Sequence, residues 1–172
     1  MEEQQNLASI KEQRNARIKS VAREWIESIV IAFVLAMVIR TFFIQAFRIP
    51  SGSMRMTLIE GDRILVNKLR YGPKIPLTSK RLPGYSYPHR GDVVVFVYPG
   101  DQKRDFIKRL IAIGGEEVEI RDGDIYVNGE LVTIPQVKNN YYYNRGDHGT
   151  LGQKIKVPLG YYYVLGDNSG SS

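Results

Sequence analysis

Three short segments of this chain carry side chains able to do covalent chemistry. The first is Ile49-Pro50-Ser51-Gly52-Ser53-Met54. A serine between glycine and an apolar residue is easily reached by an extended partner, although Ser-Gly-Ser also serves as a plain flexible turn. The second is Phe106-Ile107-Lys108-Arg109-Leu110. Side chains alternate along a strand, so Lys108 shares a face with Phe106 and Leu110, and Arg109 with Ile107 and Ile111. Both faces are apolar, so patterning does not say which cation is buried. Acid–base chemistry separates them. Arginine is not deprotonated in proteins, whereas a desolvated lysine loses pKa and becomes a usable base near neutral pH. If either residue is catalytic, it is Lys108. The common alternative is a lysine whose stem packs while its head reaches water. The third segment, Gly166-Asp167-Asn168-Ser169-Gly170-Ser171-Ser172, reads by itself as a turn after a strand.

Other chemistries have little material. The 172 residues include no cysteine and two histidines, His89 and His148. There is no thiol nucleophile and no disulfide framework, and a zinc site needing several imidazoles is not expected. Gly114-Gly115 reads as a turn and not as a phosphate-binding loop. Asp122-Gly123-Asp124 lacks the remaining ligands of a calcium loop. No metal and no cofactor is assigned. The formal charge of +6 suits either nucleic acid or an anionic membrane surface. The next feature favours membrane lipid, and no nucleic-acid partner is expected.

Residues Trp25 to Phe47 read WIESIVIAFVLAMVIRTFFIQAF, with an apolar core from Ile29 to Ile39. The core alone is short of the roughly 20 residues that span a bilayer. Trp25 and Ile26 extend it at one end and Phe42 to Ile44 at the other, with Glu27 and Arg40 near the ends. The alternative is a buried core helix. A cleaved signal fits less well, because the run ends in bulky Phe43, Ile44 and Phe47 with no small-x-small site. We therefore expect an uncut transmembrane anchor over 25–43. Lys11, Arg14, Arg17, Lys19 and Arg23 precede it. The positive-inside rule then makes 1–24 a cytoplasmic basic segment and exports 44–172 across the plasma membrane in a single pass.

Beyond residue 47 the pattern becomes strand-like. Ile64–Val66, Val93–Tyr98, Asp105–Ile113 and Leu159–Leu165 are β-branched or aromatic runs. Residues Val118 to Val132 read as three strands joined at Asp122-Gly123 and Asn128-Gly129, dipeptides that tolerate positive φ. Residues 71–90, with four prolines, and 141–150 read as loops. The expected fold is mainly β: an N-terminal transmembrane helix followed by an all-β domain of antiparallel sheets.

In order and spacing, these segments resemble the type I signal peptidases. Ser51-Gly52-Ser53-Met54 with Thr57-Leu58 looks like the family's nucleophile box, and Gly61 to Lys68 like the strand after it. Gly91 to Phe96 is similar to the next box, Lys108-Arg109 with Gly114-Gly115-Glu116 to the lysine box, and Gly166-Asp167-Asn168 to the start of the last. The resemblance implies a serine endopeptidase that removes signal peptides from exported preproteins at the outer membrane face. It implies Ser53 as nucleophile, Lys108 as general base, the Ser51 hydroxyl and Ser53 N–H as oxyanion hole, and Ser172 as the serine that orients the lysine. Ile49, Leu58, Phe106 and Ile107 would line the substrate pockets. Preprotein signal peptides are the implied partners, with the protein translocation machinery as a possible further one. Two departures stand out. The family usually has proline where this chain has Met56, and its last box continues with an aspartate and an arginine beyond the position of Ser172. The chain is therefore expected to be a C-terminally truncated fragment, weakly active, with a frayed end at Ser172.

Three other readings compete. One is a soluble self-cleaving repressor with the same Ser–Lys chemistry, disfavoured by the anchor and the absence of a DNA-binding helix pair. Another is a non-enzymatic membrane-tethered β-domain. The last is a hydrolase using His89 or His148, both in expected loops.

Overall fold

The computed structural model describes residues 2–172 apart from Leu77, Ser79, Gln102, Lys103 and residues 145–149; over 2–13, 15 and 16 it describes the backbone alone. His148 therefore lies outside the described residues.

Helix α1 runs from Glu2 to Phe42. It begins well before the expected anchor, so the basic segment and the apolar segment share one helix. Within it, Arg17–Phe42 is long and apolar enough to cross a membrane. The most apolar part of that stretch is not buried by the rest of the chain, and Trp25, Ile29 and Phe33 are each more than 60% exposed. A helix that is apolar on every side and touches no protein core does not serve as a core helix of this domain.

The anchor was expected over 25–43; the helix runs to Phe42, and β1, Ile44–Arg48, begins two residues later. From there the chain pairs in antiparallel register with β2, Arg63–Asn67, from Ile44↔Asn67 to Arg48↔Arg63. That ladder pairs the backbone groups of β1 that face β2, and continued helix would leave β2 unpaired.

All remaining pairings are antiparallel too. Strands β3 (Val93–Val97) and β4 (Asp105–Ile113) form a three-stranded sheet with β9 (Tyr162–Leu165), and β4 lies in the middle. Strands β5 (Glu117–Arg121), β6 (Asp124–Val127), β7 (Glu130–Leu131) and β8 (Ile155–Lys156) make a second sheet in the order β7-β6-β5-β8. The two expected hairpin turns are present. Asp122, Gly123, Asn128 and Gly129 all have φ between 53° and 86°, as two-residue hairpin loops of this kind require.

The strand expected over Leu159–Leu165 starts only at Tyr162. Before it the chain turns, with the Tyr161 N–H donating to Pro158 O at 3.1 Å and Gly160 at φ 81°. Strand β8 and the single helical turn α2, Pro135–Lys138, lie outside the sequence expectation. In α2, Pro135 occupies a first-turn position where its missing N–H costs nothing.

Two apolar clusters hold the β-domain. The larger gathers Ile111, Ala112, Val118, Ile120, Ile125, Val127, Val132, Val137, Tyr142 and Val157 between the end of β4 and the four-stranded sheet. The smaller consists of Ile49, Met54 and Ile107, with Leu58, Ile64 and Val95 packed against it. Strand β4 belongs to both. Its second half is fixed in the large core, and its first half reaches into the small one beside Ser53.

Candidate active site

Ser53 is positioned by residues on both sides of it. Ile49 is buried, its N–H donates to Asp62 O at 2.9 Å, and its carbonyl accepts from the Gly61 N–H at 3.0 Å. Gly61 can make that contact because its φ of 93° is open to glycine. Beyond Pro50, residues Gly52–Met54 form a single 3₁₀ turn closed by the Arg55 N–H on Gly52 O at 3.1 Å. Met54 anchors the turn in the small core, and Ser53 is only 8% exposed. The first N–H groups of such a turn, that of Ser53 among them, have no partner inside it. The Ser51 hydroxyl lies 3.5 Å from Ser53 Oγ, at the limit of a hydrogen bond.

Lys108 and Arg109 have separated onto the two faces of β4. Arg109 is 4% exposed and grips Asp167, itself 1% exposed, through Nε to Oδ1 at 2.8 Å and an Nη to Oδ2 at 2.6 Å. It also donates to Gly91 O at 2.7 Å and to Thr57 Oγ1 at 3.0 Å, and Thr57 donates in turn to Asp167. This network joins β4, the loop after the Ser53 turn and the C-terminal segment. Lys108 is half-buried on the other face, and its ammonium donates to Ser172 Oγ at 2.7 Å. Burial lowers its pKa from the ordinary lysine value, and the nearby Asp167 carboxylate opposes part of that shift.

The C-terminal segment docks onto the Ser53 turn. The Asn168 N–H donates to Ser53 O at 2.9 Å, and its side-chain amide donates to Gly52 O at 2.9 Å. Ser169–Ser171 form a second 3₁₀ turn. At the end of this segment Ser172 accepts the hydrogen bond from Lys108. Gly166 makes the approach possible. A methyl group there would collide with Ser172 Oγ and Ser53 O and stand 3.0 Å from Lys108 Nζ. Only a residue without Cβ lets the three groups converge.

Above them lies a cleft of about 570 Å³, lined by Ser51, Ser53 and Lys108 together with Ile49, Phe106, Ile107 and Ser172. Seven of the eight residues singled out from the sequence therefore border one cavity. Leu58 does not; it packs against the small core below the cleft. His89 is not at the cleft either. It is largely exposed, and its ring Nδ1 stands 3.9 Å from Asp92. Sequence reasoning missed Thr57, Asp167 and Asn168 as supports of the site. The one available signal was Arg109 itself, since an arginine in an apolar strand needs a buried carboxylate.

A buried serine, a half-buried lysine and an apolar cleft beside the first half of β4 make a site suited to nucleophilic attack on an extended chain. A family model described as signal peptidase, peptidase S26, matches residues 22–172. The chain belongs to that family. Signal peptidase I of Pseudomonas fluorescens is 34% identical over 160 residues, which cover 80% of this chain and 56% of that one. Signal peptidase I of Bacillus licheniformis is 33% identical over 166 residues, covering 91% of this chain and 79% of that protein. The chain thus spans little more than half of the Pseudomonas relative. A crystal structure of a signal peptidase I from Enterococcus faecalis aligns with 51% of this chain and 82% of its own, at 31% identity and a TM-score of 0.39.

Proposed function

We propose that this chain is a membrane-anchored serine endopeptidase that removes signal peptides from exported preproteins, with Ser53 as nucleophile and Lys108 as general base. The observation that carries the reading is the convergence of Ser53, Lys108 and Ser172 around Gly166 at one apolar cleft, with burial holding the Lys108 amine toward its neutral form.

In this reading neutral Lys108 donates an N–H to Ser172 and turns its lone pair to Ser53. As Ser53 Oγ attacks the scissile carbonyl, its proton passes to Lys108. The oxyanion is met by the Ser53 N–H and the Ser51 hydroxyl, both on or beside the same 3₁₀ turn. Lys108 then protonates the departing amine, and water, deprotonated by the same residue, releases the acyl group. The exported segment lies extended along the first half of β4, with alternate side chains toward Ile49, Phe106 and Ile107. The anchor within α1 holds the site at the outer face of the plasma membrane, with the basic residues before it in the cytoplasm. Membrane lipid is then a permanent partner, and preproteins arrive from the translocation machinery. The test is cleavage of a preprotein in detergent by the intact chain and by Ser53→Ala, where the reading expects loss of cleavage in the variant alone. Equal cleavage by the two would refute it.

A further inference from the structure

The last carbonyls of any helix lack partners within the helix. At the end of α1, Lys68 supplies them. Its Nζ donates to Arg40 O and Thr41 O, each at 3.2 Å, and its backbone N–H donates to Phe43 O at 2.9 Å. Lys68 directly follows β2, which pairs with β1 along its full length. Only Phe43 separates α1 from β1. Helix, joint and ribbon are thus tied together over residues 40–43.

The position of this ammonium is informative. Partial burial and the neighbouring Arg40 lower the Lys68 pKa, and the Asp105 carboxylate opposes part of that shift. A lysine with no task here would turn its head to water, away from Arg40. Instead it sits against the negative end of the helix, where cations are favoured. Strand β1 then rises about 17 Å over its five residues toward the Ser53 turn.

We infer that Lys68 is a positioning residue that clamps α1 to the β1–β2 ribbon, so that the Ser53 cleft stands at a fixed height and angle over the bilayer. The inference rests on the peptidase reading above. It adds a selection rule. A substrate itself held in the bilayer is cut where its extended segment reaches that height, whereas a free peptide feels no such constraint.

The chain has no cysteine, so spin labels at Ile26→Cys and Glu130→Cys report the geometry directly in lipid nanodiscs. The expected distance distribution is narrow in the otherwise wild-type protein and in Lys68→Arg, whose guanidinium also donates to two carbonyls. It is broad in Lys68→Met. Because misplacement by about 1 Å can cost up to about 10²-fold, Lys68→Met should cleave a vesicle-inserted preprotein at least about tenfold more slowly, yet a short soluble peptide within about twofold of wild type. Lys68→Gln serves the same comparison if Lys68→Met does not fold. An unchanged distance width, or equal loss on both substrates, overturns the clamp. If the wild type cleaves neither substrate, the peptidase reading fails, and the distance widths still decide the clamp.

Discussion

Lys108 Nζ and Ser172 Oγ stand 2.7 Å apart, although the two residues are 64 positions apart in the chain. A lysine stem has many rotamers, and this contact holds one of them at the cleft that Ser53 also lines. Ser172→Ala should therefore lower kcat by about 10–100-fold with little change in KM, the pattern expected when a base is misaimed by about 1 Å. Steady-state kinetics on a peptide substrate checks it. A loss confined to KM would mean that Ser172 binds substrate instead.

Lys108→Arg should be as inactive as Lys108→Ala, although it keeps the positive charge. A guanidinium does not accept the serine proton. By comparison with other catalytic units, the expected loss is about 10⁴–10⁶ in rate. Substantial activity in Lys108→Arg would remove the general base from the account. His89→Ala should remain active.

The pH dependence follows from the same residue. The reactive form is the neutral amine, so activity should rise with pH and level off below the ordinary lysine value of 10.5, because burial lowers the Lys108 pKa. The sign for stability is the reverse of a salt-bridged lysine. Between the lowered folded pKa and the ordinary unfolded one, the unfolded chain binds more protons, so stability rises with pH across that interval. Lys108→Met removes the buried charge and should unfold at higher denaturant concentration than wild type at pH 7, while being inactive. A wild-type rate that plateaus only above the ordinary lysine range contradicts this.

Ser51→Ala should bind substrate normally and turn over about 10²–10³-fold more slowly, the usual cost of one oxyanion donor. In the resting geometry its hydroxyl is 3.5 Å from Ser53 Oγ. If Ser51→Ala abolishes cleavage while Ser53→Ala keeps it, the two serines have been assigned in reverse.

Arg109→Met leaves Asp167 buried beside Thr57 with its guanidinium partner gone. Removing one member of a buried, hydrogen-bonded ion pair costs about 3–5 kcal/mol. Denaturant unfolding in detergent should show a loss of that size. A shift below about 1 kcal/mol would place the pair in the class of exposed salt bridges.

These supports differ in how far they could be read from the chain. The hairpins at Asp122-Gly123 and Asn128-Gly129 were legible because positive φ is a local demand that the dipeptides meet themselves. The alternation around Lys108 was legible too, but not which cation went inside, since both faces of β4 are apolar. That choice was made by Asp167, 58 positions away, and no local pattern announces such a partner. The end of α1 likewise depends on residues distant in the chain. Phe42, Phe43 and Ile44 form one apolar run, and what ends the helix is the pairing of Ile44 with Asn67 and the capping by Lys68. Leu58 was assigned to the pocket by the family resemblance; in the fold it packs against the small core.

The central claim is a covalent one, so its most direct measurement is capture of the acyl group. A preprotein-derived peptide spanning the cleavage site is mixed with the protein, quenched in acid within the first turnover, digested and analysed by mass spectrometry. The account predicts an acyl adduct on the peptide containing Ser53, absent in Ser53→Ala and in Lys108→Met. An adduct on any other residue, or undiminished cleavage by Ser53→Ala, would contradict it.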